Sequence, residues 1–278
     1  MESQSKDGVA PSTSPFMPMF ERFRAELDEH HDRRERIIKA SRDITAASKK
    51  IIFTLQRIRK LNEALPQHAI KSNKQYQDTI QSQIASVSGD LQCLHTYRYS
   101  RQISGGCQEW MEAACFQHYL ETTTLLSYDD AAEKFRQLDE AGSGIELSPE
   151  DWLLGVYDMT GELMRFAITT MATTGELLKP SGSSQSDDDG MDVDGQAHRQ
   201  RSVLTDLREL RAALESLNVG TGPFAKDCEK KLAVMQTSVE KVEKALYGLV
   251  VRGAERPKGW MPEIGDAGGG GRAVEVEG

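Results

Sequence analysis

The chain has 278 residues, 38% of them hydrophobic, 28% charged and 6% aromatic, with a formal charge of −9. That length allows one large domain or two small ones; 23 Gly and 9 Pro are too few for a loop-dominated all-β chain. No run reaches the ~18–20 apolar residues of a membrane span, and no apolar segment follows Met1. Four cysteines (Cys93, Cys107, Cys115, Cys228) lie 14, 8 and 113 residues apart with no C-x-x-C pair, which excludes a Cys-based zinc site. The class expected is soluble and intracellular, with reduced thiols.

Helical periodicity dominates the chain. The series Ile37, Ser41, Ile44, Ser48, Ile51, Leu55, Ile58 steps strictly by four and three, and residues 19–62 contain no Pro or Gly. This predicts one helix of roughly 40 residues, about 60 Å long, ended by Pro66. Ile70, Ile80, Ile84, Val87 and Leu91 predict a second helix, stopped near Gly89, and a third runs from about Tyr97 to Thr123 with Gly105 and Gly106 as weak points. Ser127 with Asp130 forms a capping box for a short helix through Leu138, followed by a loop at Gly142 and Gly144. The next start is well signed, with Ser148 at N-cap, Pro149 at N1 and Asp151 at N3, and it should continue to about Thr174. Leu204, Leu207, Leu210, Leu214 and Leu217 then form a leucine stripe. In the last helix Leu232, Met235, Val239, Val242, Leu246 and Leu249 repeat the three-four step, with Gly253 where a C-terminal cap belongs.

No alternating strand of useful length is present. The expected fold is all-α, a single-domain bundle of about seven helices with a very long first helix. Residues 1–15 read as a tail, 16–255 as the helical domain with an acidic linker over 180–200, and 256–278 as a Gly-rich tail. The near-3.5 stripes on the first and last helices either fill this chain's own core or meet another subunit.

Dividing the charge is informative. Residues 181–195 carry five Asp and no base, and together with residues 1–15 and 253–278 they hold −8 of the net charge, leaving −1 for the foldable remainder. Such Gly-, Ser- and Asp-rich segments read as disordered. Within the remainder, residues 33–60 hold ten Lys or Arg against two acids. That stretch is either a solvated helix face or a stripe that tracks phosphates.

Several motifs fail. Asp188-Asp189-x-x-Asp192 has an isoprenyl-synthase pattern but lies in the low-complexity linker, which also has Gly190 at the first ligand position of an EF-hand loop. No His follows a Glu by three residues, so a helical di-iron site is excluded. There is no H-E-x-x-H, no Walker lysine loop and no G-x-S-x-G.

Two acid pairs stand inside otherwise apolar segments. Glu109 and Glu112 are three apart in QEWMEAACF, and Asp158 and Glu162 are four apart in WLLGVYDMTGELM. Each spacing puts its pair on one helical face, where like charges oppose the helix by a few tenths of a kcal/mol. Either both pairs point at water, or the two faces meet and four carboxylates hold a hard divalent cation. Mg²⁺ or Mn²⁺ suits such a set, since both take oxygen ligands and retain waters for a substrate phosphate.

At these residues the sequence resembles the translin family, in its translin-associated factor X branch. The matching blocks are Ala40-Ser41-Arg42-Asp43-Ile44-Thr45 with Ser48-Lys49 and Ile52-Phe53; Gln108-Glu109, Met111-Glu112-Ala113 and Phe116-Gln117-His118; Asp151 through Arg165; Gly222-Pro223 with Lys230-Lys231; and Val251-Arg252-Gly253-Ala254-Glu255 before Pro257-Lys258. The resemblance implies a seven-helix subunit that joins translin in a closed, octameric shell. It further implies a Mg²⁺-dependent endoribonuclease acting on single-stranded RNA, in passenger-strand removal and clearance of tRNA-processing fragments, in cytoplasm and nucleus. The family's acidic site maps onto Glu109, Glu112, Asp158 and Glu162, with Glu112 and Glu162 as direct metal ligands. Glu109 and Asp158 would place further waters, or one of them would act as general base. Lys49, Lys50, Arg57 and Arg59 would guide RNA phosphates, and Arg165 would reach the same phosphate or simply pair with Glu162. The alternative is a non-catalytic scaffold that stabilises translin and helps it grip single-stranded DNA or RNA. The Asp-rich linker lies outside the family core.

Overall fold

A computed structural model describes residues 14–139, 145–177 and 201–252; among them are seven α-helices and no strand. Both tails, the acidic linker with its Asp-rich motif, the Gly142–Gly144 loop and Gly253 lie outside the described residues, and with them the expectations placed there. None of the described helices is long and apolar enough to cross a membrane.

Helix α1 spans Met17–Leu55, 39 residues and about 60 Å. Its four-three series is buried from Ile37 through Leu55, with Ile58 just beyond. That stripe therefore fills the chain's own core. Phe53 apart, the large apolar residues left in solvent along α1 and its N-cap are instead at the start, namely Phe16, Met17, Met19, Phe20, Phe23 and Leu27. The helix also ends earlier than the missing Pro and Gly suggested, at Leu55 and not near residue 62. The cause is tertiary. The Arg59 guanidinium donates to the Gln56 and Ile58 carbonyls at 2.7 and 2.8 Å. Asn62 turns to a φ of 58° and its N–H donates to the Leu120 carbonyl at 2.9 Å, drawing the chain off the helix axis.

Helix α2 (Gln67–Ser88) starts directly after Pro66, which has no N–H to leave unpaired, and packs along α1 through Ile80, Ile84 and Val87. Ile70, expected in that stripe, is exposed. A 3-10 turn, Gly89–Leu91, buries Leu91. Helix α3 (Leu94–Thr122) runs unbroken through Gly105 and Gly106. Gly106 is a contact point and not a weak one: a Cβ there would sit 3.0 Å from the Ser41 carbonyl oxygen, and its N–H donates to Ser41 Oγ at 3.0 Å. The missing side chain lets α1 and α3 approach closely.

Helix α4 (Tyr128–Arg136) is capped by Ser127, whose hydroxyl accepts the Asp130 N–H at 3.1 Å. Helix α5 (Pro149–Thr174) has the anticipated cap, Ser148 accepting the Asp151 N–H at 3.0 Å, and closes on Gly175 at a φ of 75°. Helix α6 (Val203–Glu215) buries Leu204, Leu207 and Leu214, whereas Leu217 lies past its end in solvent. Helix α7 (Pro223–Arg252) buries Met235, Val239 and Val242. Contacts run α2 to α1, α1 to α3, α3 to α5 and α5 to α7, with α6 against α5 and α7. Helices α3 and α5 are therefore the middle of the bundle, where Phe116 and Phe166 meet edge to face at 6.2 Å. The two acid pairs ride on these central helices.

Candidate acidic site between α3 and α5

A second glycine sets the distance between the acid-bearing helices. A Cβ on Gly155 would stand 2.7 Å from Met111 Cβ and 3.0 Å from the Gln108 carbonyl oxygen, inside any real contact distance. Met111 and Gln108 flank Glu109 and Glu112, and Gly155 lies one turn before Asp158. The position of least bulk on α5 thus brings its acids against those of α3.

Glu112 and Glu162 are 8% and 7% exposed, well inside the range where an ionised carboxylate needs a partner. Glu109 and Asp158 are half-buried. Burial pushes the Glu112 carboxyl up to about 8, and repulsion from Glu109, Asp158 and Glu162 adds to the rise. Glu109 is also raised, first by burial and then by Asp158, against the pull of Lys49. All four acids predicted from spacing therefore share one electrostatic site.

Cations surround it unevenly. Lys231, from α7, forms an ion pair with Asp158 and lies 3.5 Å from Gln108 Oε1. The Lys49 ammonium is 3.7 Å from Glu109 Oε2, and Arg165 pairs with Glu162 at 3.0 Å one turn along α5. Gln56 Nε2 donates to Glu162 Oε2 at 2.7 Å and to the Glu162 carbonyl at 2.9 Å, tying the end of α1 to the site. Gln108 Nε2 donates to Asp151 Oδ1 at 3.0 Å, joining the site to the first turn of α5. The remaining basic residues singled out in the sequence stand on α1 or just past its end. Lys50 lies over the Tyr76 ring at 5.3 Å and Arg57 over the Phe53 ring at 4.6 Å. Arg59 is committed to carbonyls at the end of α1.

Sequence reasoning passed over Lys231 and Gln56 as parts of this site. Lys231 is 73 residues from Asp158, and no helical period links them; Gln56 directly follows Leu55 in a basic stretch that draws attention to its charges. The donor set is all oxygen and carries more negative charge than its lysines offset, which fits a hard divalent cation in chemistry and in charge. Among the described residues, no three carboxylate, imidazole or thiol groups yet stand close enough to enclose an ion. Lys231 is the counter-charge in their place.

Residues 32–253 match the model of the Translin family. The chain belongs to the translin family. Among its relatives is the Translin-associated protein X of Rattus norvegicus, 31% identical over 94% of this chain and 88% of that protein. The homologue of that protein in Schizosaccharomyces pombe is 31% identical over 84% of this chain and 88% of its own. The crystal structure of AfC3PO superposes with a TM-score of 0.55 at 16% identity, over 86% of this chain and 98% of that one, which supports the translin-type helical fold. Both acid pairs and Lys231 lie within the stretch matched to the family, whereas the exposed apolar start of α1 precedes it.

Proposed function

We propose that this translin-family chain is the Mg²⁺-dependent endoribonuclease subunit of a hetero-oligomer with translin, cutting single-stranded RNA. The observation that carries the reading is the crowding of four carboxylates on α3 and α5, two of them nearly buried, at a cost the fold itself does not require. Glu112 and Glu162 would hold the metal, with Glu109 and Asp158 placing waters around it. When bound, Mg²⁺ would supply a Lewis acid that withdraws charge from a phosphodiester oxygen and acidifies a water.

The protein's own groups do the rest. Gln56 donates to Glu162 Oε2 while Arg165 pairs with Oε1, so the two together fix how that carboxylate is turned. Lys231 forms an ion pair with Asp158 and would be the cation nearest to a substrate phosphate at the cluster. Half-buried Glu109, with its raised affinity for protons, is the group best poised to take a proton from an attacking water. Lys49, Lys50, Arg57 and Arg165 would track the phosphates, so RNA binding should weaken steeply with salt. The exposed apolar start of α1 supports assembly with translin subunits into the octameric shell. By family membership the work would fall in RNA silencing and tRNA processing, in cytoplasm and nucleus.

The test is Glu112→Gln or Glu162→Gln in the chain co-assembled with translin. Each should abolish Mg²⁺-dependent cutting of a single-stranded oligoribonucleotide while sizing shows the same assembly; cleavage at the original rate would remove the metal reading. One observation favours a second reading, a non-catalytic scaffold that helps translin bind single-stranded DNA or RNA: Lys231 already offsets part of the acidic charge. Under it, the pair would cut no faster than translin alone.

A further inference from the structure

Phe53 is 63% exposed in the half of α1 whose other large apolar residues, Ile51, Ile52 and Leu55, are buried. Its position on the helix is specific. Lys49 lies one turn before it and Gln56 one turn after it, at spacings that put all three on one face. Lys49 reaches Glu109 on α3 and Gln56 reaches Glu162 on α5. The residue midway between two side chains that both touch the acidic site must stand at its rim. Side chains on a helix lean toward its N-terminus, so the ring covers the turn between Lys49 and its own Cα.

Its surroundings point to the occupant. No other large apolar side chain is exposed between Leu27 and Ile70, so Phe53 is not part of an exposed apolar stripe on its own helix. Its exposed neighbours are cations, and the Arg57 guanidinium carbon lies 4.6 Å from the ring centroid, bracing it. A solitary exposed aromatic amid Lys and Arg is the arrangement that stacks an unpaired base while the cations hold its phosphates. We propose that Phe53, braced by Arg57, is a base-stacking platform that seats one nucleotide of single-stranded RNA at the rim of the acidic cluster. The inference rests on the nuclease reading for its substrate. It adds a reason for single-strand preference, since a base held in a duplex has no free face for the ring.

The experiment uses the full chain co-assembled with translin and oligoribonucleotides carrying one 2-aminopurine, with EDTA present so that nothing is cut. A stacked register should show quenched fluorescence. Phe53→Ala should abolish that quench and weaken binding by roughly 5- to 150-fold, the range for losing one base–aromatic stack. Phe53→Tyr and Phe53→Trp should retain both. Unchanged quench and affinity in Phe53→Ala would overturn the proposal, as would loss of assembly in that variant, which would make Phe53 a packing residue. Because the readout is binding without metal, it fails independently of the nuclease reading, which stands or falls on cleavage by Glu112→Gln.

Discussion

Two charged clusters sit against α3, or at its start, and they are built on opposite principles. At the far end of the bundle, Asp90 accepts from Arg36 through both carboxylate oxygens at 2.8 Å and from Arg33 at 3.2 Å. Those hydrogen bonds, led by Arg36, hold its carboxyl below the usual range. Further along α3, Glu112 faces three other carboxylates and is pushed the other way. The first cluster satisfies its charge and clamps α1 to the turn before α3. The second leaves charge unsatisfied in a buried place, which costs stability and is retained where a site needs a cation or a proton acceptor.

The largest expected break in this contrast is Glu112→Gln. In the folded chain the Glu112 carboxyl holds its proton up to about 8, while in the unfolded chain it releases it near 4.3. Between those values the folded state carries the extra proton. This contribution to stability is therefore complete below the unfolded value and is lost as pH rises through the folded one. Urea unfolding in EDTA should show the wild type losing a few kcal/mol from pH about 5 to about 9, and the Gln variant losing much less. A wild-type curve as flat as the variant's would mean that Glu112 is neither buried nor crowded by the other acids in solution.

The next effect comes from spacing. Gly155→Ala adds a methyl group where Met111 Cβ would be 2.7 Å away, so α3 and α5 must part locally. Overpacking of this kind costs about 1–3 kcal/mol. By separating the acid pairs it should also bring the Glu112 carboxyl back toward ordinary values, visible as a shallower pH dependence in the same unfolding experiment. A stability loss with an unchanged pH profile would show that Gly155 serves packing alone.

These two residues mark what the sequence could disclose. Glu109, Glu112, Asp158 and Glu162 were legible because helical spacing is local and a carboxylate inside an apolar run violates a local rule. Ser148, Pro149 and Asp151 announced the start of α5 for the same reason. Gly155 was illegible as a contact, because its meaning depends on Met111 across an interface, and Gly106 was misread as a weak point because Ser41 is 65 residues away. The early end of α1 is likewise tertiary: nothing between residues 55 and 62 breaks a helix, yet the Leu120 carbonyl captures the Asn62 N–H. Lys231 could be seen as part of a family block but not as the partner of Asp158.

The smallest effect belongs to the satisfied cluster and carries the opposite sign. Asp90→Asn keeps the shape but removes the charge that Arg33 and Arg36 share. Since the Asp90 carboxyl is depressed in the folded chain, its stabilisation is present above the unfolded value of about 3.9 and fades as pH falls through the folded one. Arg36 is exposed and salt screens it, so the loss at neutral pH should be about 1 kcal/mol and should shrink in high salt. Strong acid should bring wild type and variant together. The two substitutions, each of an amide for a carboxyl near α3, would then move stability in opposite directions at pH about 8. An Asp90→Asn variant as stable as wild type at low salt would show that the cluster is surface decoration, with α1 held to α3 by its buried stripe and by the close approach of Gly106 to Ser41.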